Sequence, residues 1–308
     1  MSSSQTVPQI EAPARFAVGP KNILMATDFS ECSERAISYA TEAARHYDSA
    51  LHLAHVVPMN TYCLVGPDAL GVAVEAARRD VAALVTRLEL KQQLAGVKHD
   101  ARVRSGYVTQ TLGELIAREQ IDLVVVGTHG RTGLSKLVLG SVAEEVFRKS
   151  PCPVLTVGPH VPLARPGGGP KTVLFATDFS PDSVRALPYA LSAAREFGSE
   201  LILLHVLEPS EEMTGDRAGR AERLKCRLEK MLGEPPEGLR VRVKVVSGDL
   251  PERVVEAAIE RGASLIALGL KAPQVFADRL RWLHAYRIVS QAPCPVLTVR
   301  GKPAAWPG

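Results

Sequence analysis

The sequence predicts an α/β protein of two successive domains, each a five-stranded, mainly parallel sheet with helices on both faces. Three observations predict it. The chain repeats itself: KNILMATDFSECSERAISYATEAARHYDSALHLAHVV from Lys21 returns as KTVLFATDFSPDSVRALPYALSAAREFGSELILLHVL from Lys171, and SPCPVLTVGP from Ser150 returns as APCPVLTVRG from Ala292. Short β-branched runs alternate with stretches of helical spacing, as in parallel strands joined by right-handed crossover helices. The apolar content is aliphatic, with only 5% aromatic residues, which suits helices packed closely on a sheet.

Residues 1–20, opening MSSSQTVPQIEAPAR, read as a flexible polar tail without the apolar core of a secretion signal. The first domain, 21–158, places strands near Asn22 to Ala26, Ala50 to Val56, Lys98 to Ser105, Ile121 to Val126 and Pro153 to Val157. A helix follows the first strand, a longer polar and helical stretch the second, and helices the third and fourth. Ile121 to Val126 is continuous and mostly β-branched, the mark of a strand covered on both faces. Residues 159–170, within GPHVPLARPGGGP, read as an exposed linker because proline and glycine dominate. The second domain, 171–300, repeats the order, and 301–308 forms a closing tail.

The totals exclude several functions. A formal charge of +4 over 308 residues is too small to imply nucleic acid. Arg217 to Lys230 is locally basic, but Glu222 and Glu229 interrupt it, so it reads as a solvated helix face. The five cysteines lack CxxC spacing, which argues against a zinc site or a disulfide framework. Cys152 and Cys294, each between two prolines in equivalent places, read as packing residues. No apolar run approaches the roughly 20 residues of a membrane helix, and the expected compartment is the cytoplasm.

One stretch carries chemistry. Glycines at Gly127, Gly130, Gly133 and Gly140 follow the buried strand, and Ser141 precedes a helical run in which Val142, Val146 and Phe147 are spaced along one face. The core of the pattern is G-x2-G-x9-G-S. Such glycines let backbone N–H groups approach an anion and permit positive φ, which costs other residues roughly 1–2 kcal/mol. A helix opening at Ser141 adds unpaired N–H donors and a positive dipole end. The parts suit a phosphate cradle; they also suit a long loop that uses glycine for turn geometry alone. In parallel sheets, ligands bind beyond the carboxyl ends of the strands where strand order reverses, and Asp28, Val56 and Gly127 stand at such ends. Asp28 reads either as a turn or cap residue or as a carboxylate facing a nucleotide. His55 and His205, at the same place in both halves, read as hydrogen-bonded structural residues rather than ligands.

The ATDFS strand end, the LHLAHV strand, G-x2-G-x9-G-S and the terminal PCPVLTV resemble the universal stress protein family. The second half carries three of the four, so the chain from about Lys21 to Arg300 resembles a tandem member. The resemblance implies an adenine-nucleotide α-hydrolase-like, Rossmann-like fold that holds ATP at the strand ends, often with a divalent metal such as Mg or Mn. Carried over residue by residue, Asp28 faces the ribose or adenine and the backbone at Val56 meets the adenine edge. Gly127, Gly130, Gly140 and Ser141 hold the phosphates, with Thr27 and Val142 as neighbours. No side chain is assigned to a metal. The family also pairs its final strands, so Val154 to Val157 and Val296 to Val299 are expected to pair within one chain as an internal pseudo-dimer, with a further homodimer left open.

The second half departs at the cradle. Aligned back from PCPVLTV, Gly127 stands opposite Gly269, but Gly130 opposite Ala272, Gly140 opposite Trp282 and Ser141 opposite Leu283, while Asp178 and Val206 remain. One competent site is expected, in the first half, with the second half a scaffold or a site for another ligand. RLRWLHAYR reads as a covering helix with a polar face. His129, Arg131 and Lys136 offer charge, but the loop has no carboxylate to activate water, and no catalytic residue is assigned. The expectation is a nucleotide-binding regulatory protein of the stress response acting on a protein partner that the sequence does not name. The alternatives are a dimerisation scaffold that binds no nucleotide and a slow ATP hydrolase.

Overall fold

The computed structural model describes residues 19–59, 67–128, 141–207, 217–270 and 278–300. The first half runs β1 (Asn22–Ala26), α1 (Glu31–Tyr47), β2 (Ala50–Pro58), α2 (Pro67–Leu90), β3 (His99–Gly106), α3 (Val108–Arg118), β4 (Leu123–Gly127), α4 (Ser141–Lys149) and β5 (Val154–Val157). The second runs β6 (Thr172–Ala176), α5 (Pro181–Val184), α6 (Leu187–Glu196), β7 (Glu200–Leu207), α7 (Arg217–Leu232), β8 (Val241–Ser247), α8 (Leu250–Glu260), β9 (Leu265–Leu270), α9 (Asp278–Gln291) and β10 (Val296–Arg300).

All ten strands join one sheet in the order β3-β2-β1-β4-β5-β10-β9-β6-β7-β8. Each half is parallel throughout, and the halves meet where β5 and β10 pair antiparallel, Leu155 opposite Leu297. The final strands therefore pair within the chain, as the resemblance implied. Alternation along the strands divides the core between two faces. Ile23, Met25 and Phe175 point to the face covered by α1, α2, α6 and α7. Leu24, Val126 and Leu174 point to the face covered by α3, α4, α8 and α9.

The helix after the first strand is continuous in one half and broken in the other. Pro188 stands where α1 has Ser38. Proline lacks an N–H and its ring collides with the carbonyl four residues back, here that of Val184. α5 ends at Val184, and α6 restarts with Pro188 in its first turn, where no N–H is needed.

One expected boundary moves. Gly19 and Pro20, assigned to the tail, are buried: Gly19 has φ +77° and its missing Cβ would sit 2.1 Å from the Tyr47 ring, so only glycine fits. Residues 1–18 and 301–308 lie outside the described residues. The connection at 159–170 is exposed over most of its length, as expected, and is also pinned. Arg35 and the Tyr39 hydroxyl donate to the Pro159 and Pro162 carbonyls, both at 3.1 Å, while the amides of Ala164 and Gly167 donate to Ser38 Oγ and Glu42 Oε2 at 2.9 and 2.7 Å. Val161, within it, is buried.

Thr156, opposite Val296 in the seam, is fully buried and its hydroxyl has no partner. An unmet buried hydroxyl costs about 1–3 kcal/mol, and valine has nearly the same shape. Thr156→Val is therefore expected to raise stability by about 1 kcal/mol or more in chemical denaturation, and a loss of stability would mean that the hydroxyl is satisfied. Burial pushes the thiols of Cys152 and Cys294 up to about 11 and about 12, so neither is a thiolate at neutral pH. Among the described residues, no helix is long and apolar enough to cross a membrane.

Candidate functional site

Strand order reverses between β1 and β4, and the turn leaving β1 is held by a dense set of bonds. The Thr27 amide donates to the Ala54 carbonyl at 2.9 Å. Thr27 Oγ1 lies 2.6 Å from Ser33 Oγ and accepts the Phe29 amide at 3.1 Å. Phe29 has φ 65°, a left-handed conformation that costs a bulky residue roughly 1–2 kcal/mol. Its ring packs against His55 with centroids 4.6 Å apart. His55 Nδ1 lies 2.8 Å from the Thr27 carbonyl; since a carbonyl only accepts, that nitrogen carries the proton.

Asp28 is carried on this turn. Its Oδ1 accepts the Ser30 amide at 3.1 Å, closing an Asx turn, while the cap of α1 is Ser30, whose hydroxyl accepts the Ser33 amide at 3.2 Å. The cap role considered for Asp28 thus belongs to Ser30, and Asp28 keeps the turn role.

Val56 lies on the neighbouring strand. β1 and β2 pair only as far as Ala26 opposite Ala54, but β2 continues beside β3 to Pro58. Ala54 turns its carbonyl toward β1, so Val56, two residues further, turns its N–H and C=O the same way, past the end of β1. Its side chain is buried on the α3 and α4 face. A hydrogen-bonding main-chain edge therefore stands beside the Asp28 turn.

Gly127 ends β4 next to β1, and its lack of a side chain has a packing cause. A Cβ there would lie 2.7 Å from the Cys32 carbonyl carbon and 2.8 Å from the Ser33 nitrogen, in the first turn of α1. Gly269, its counterpart, is crowded in the same way, with Asp182 O at 2.2 Å from the Cβ position. Since the glycine is required in both halves, its presence is no sign of a phosphate. Thr128, fully buried, donates its amide to the Val157 carbonyl at 3.0 Å.

Ser141 opens α4, whose first-turn amides have no intrahelical acceptors, and Val142 packs against the core. Thr27, Asp28, Val56 and Gly127 thus meet at the carboxyl ends of β1, β2 and β4. Gly130, Gly140, Gly133, His129, Arg131 and Lys136 lie outside the described residues, as does the Ser141 side chain. The residues in place fit the base and sugar of a nucleotide: a main-chain donor and acceptor in one edge, and a carboxylate beside it. Sequence reading missed Ser33 as the partner of Thr27, while the reading of His55 as a hydrogen-bonded structural residue agrees with its bond to the Thr27 carbonyl. A signal existed, since both pairs recur as Thr177 with Ser183 and Thr177 with His205.

The profile of the universal stress protein family matches residues 19–158 and again residues 169–300. The chain belongs to that family. As a universal stress protein with two repeats, it is 25% identical over 306 residues to a universal stress protein of Mycobacterium tuberculosis, the match covering 90% of this chain and 94% of that one. A universal stress protein of Methanocaldococcus jannaschii is 31% identical over 140 residues, 44% of this chain and 81% of that one. Among solved structures, a universal stress protein from Archaeoglobus fulgidus has a TM-score of 0.71 at 21% identity, with 93% of this chain and 98% of that one covered, and so shares the fold.

Proposed function

We propose that this universal stress protein binds ATP in its first half and that occupancy, rather than turnover, is its signal in the stress response. The observation that carries the reading is the Val56 main-chain edge, turned past the end of β1 beside the Asp28 carboxylate. There Val56 receives the adenine edge, Asp28 the ribose, and the amides from Gly127 to Val142, through Gly130, Gly140 and Ser141, the phosphates. Thr27 holds the turn in place from below. Magnesium or manganese is expected to accompany the triphosphate, and the setting is the cytoplasm. Residues 159–170 join the repeats, at 21–158 and 171–300, into an internal pair; a further homodimer through the outer strands β3 and β8 is opposed by Arg102, Arg104, Arg242 and Lys244, since charges guard sheet edges.

A ligand at 100 times its dissociation constant adds about 2.7 kcal/mol of stability. Millimolar ATP with magnesium is therefore expected to raise the melting temperature, and mass analysis of an extract of the purified protein should identify adenine nucleotide. A melting temperature indifferent to ATP would sink the reading. The competing scaffold reading draws on the second half, which completes the same sheet without the glycine pattern, and it predicts that indifference.

A further inference from the structure

The turn after β6 reproduces the turn after β1 bond for bond. The Thr177 amide donates to the Leu204 carbonyl at 3.0 Å, and His205 Nδ1 donates to the Thr177 carbonyl at 2.8 Å. Ser180 donates its amide to Asp178 Oδ1 at 2.9 Å, and Phe179 holds φ 60° with its ring 4.6 Å from that of His205. β6 and β7 pair as far as Ala176 opposite Leu204, while β7 continues beside β8 to Leu207. By the same alternation, Val206 turns its N–H and C=O past the end of β6.

What differs is the region opposite the glycine loop. α9 is already wound at Asp278, ahead of Trp282 and Leu283, the positions opposite Gly140 and Ser141. In an α-helix each amide donates to the carbonyl four residues back, so the amides of Trp282 and Leu283 are spent on Asp278 and Arg279. Among the described residues, the open amides of α9 therefore lie at Asp278 to Arg281, and the two places opposite Gly140 and Ser141 offer none.

We infer that the carboxyl ends of β6 and β7 form a second binding site, for a nucleoside without a triphosphate. This rests on the first-half reading, because Asp178 and Val206 take the sugar and base contacts that Asp28 and Val56 take there. The base end of the site is retained, while the amides at the places opposite Gly140 and Ser141 are spent inside α9. One chain then reads two states of the same metabolite class, a charged nucleotide in one repeat and an uncharged nucleoside in the other.

Isothermal titration calorimetry on the full chain tests this. With the first half saturated by ATP and magnesium, adenosine is expected to bind one further equivalent. Val206→Pro removes the N–H turned toward the end of β6 and spares the bonds to β8, which come from His205 and Leu207, whose carbonyl accepts the Gly248 amide at 2.9 Å. It is expected to weaken adenosine about tenfold, the worth of one hydrogen bond, and to leave the ATP equivalent unchanged. Asp178→Ala serves as the second variant should the proline disturb folding. Two equivalents of ATP, or one of ATP with none of adenosine, overturn the inference while the first-half reading stands. Binding of neither ligand overturns both, whereas adenosine lost in Val206→Pro with no ATP bound sustains this site and sinks the first.

Discussion

Gly127→Ala is expected to lower the stability of the protein by about 3 kcal/mol, at the upper end of the usual cost of overpacking. The new Cβ would lie 2.7, 2.8 and 2.9 Å from Cys32 C, Ser33 N and Cys32 O. These are backbone atoms in the first turn of a 17-residue helix, so no rotamer change relieves the contact and α1 itself has to move. At about 2–4 °C per kcal/mol for a domain of this size, the melting temperature should fall by roughly 6–12 °C. Gly269→Ala meets backbone at 2.2–2.5 Å and should cost at least as much. Gly71→Ala is the control of opposite sign. It lies exposed in α2 with nothing within 4 Å of its Cβ position, and alanine there should add about 1 kcal/mol through helix propensity alone. If Gly127→Ala melted like the wild type, the strand and helix would have slack and the phosphate explanation of that glycine would regain its force.

The same substitution reaches the site. Ser33, against which the new methyl presses, holds Thr27 through their hydroxyls at 2.6 Å, and Thr27 anchors the turn that carries Asp28. A displaced α1 therefore displaces Asp28, so Gly127→Ala should also weaken a ligand at the strand ends.

The contrast between what the sequence disclosed and what it hid has a physical basis. β1 and its partners were legible because buried parallel strands need nearly continuous apolar runs, and the repeat showed each run twice. The end of β1 just before Asp28 was legible because a strand's end is a local property, whereas β2 runs past its expected end at Val56 to Pro58 because β3 goes on pairing with it. Gly127 was not interpretable in the same way: a glycine that spares a ligand and one that spares a helix look alike, and only the approach of α1 separates them. The connection at 159–170 is largely exposed, as expected, but what holds it was hidden for a related reason. Its prolines and glycines describe local backbone freedom, whereas the groups that fix it, Arg35, Ser38, Tyr39 and Glu42, lie on α1 more than a hundred positions earlier. Pro188 was visible, but the strength of the repeat concealed that it breaks in one half a helix that is whole in the other.

Gly140→Trp, which gives the first half the residue of the second, is expected to abolish the ATP-dependent rise in melting temperature while leaving the melting temperature without nucleotide nearly unchanged. The second half joins β9 to its last strand through α9 with Trp282 in the equivalent place, so the fold accommodates a tryptophan there. A backbone that must approach a phosphate does not, because the side chain occupies the space of the approaching oxygen. The reciprocal change, Trp282→Gly, should create no ATP site. It costs about 1 kcal/mol as a glycine within a helix, yet the amides at that point stay bonded inside α9 and offer nothing to an anion. Loss by one substitution and no gain by its reverse is the outcome expected if the donors belong to the start of a helix rather than to glycine itself. ATP binding gained in Trp282→Gly would place the whole difference between the halves in one side chain, and ATP protection retained in Gly140→Trp would remove the glycine pattern from the site.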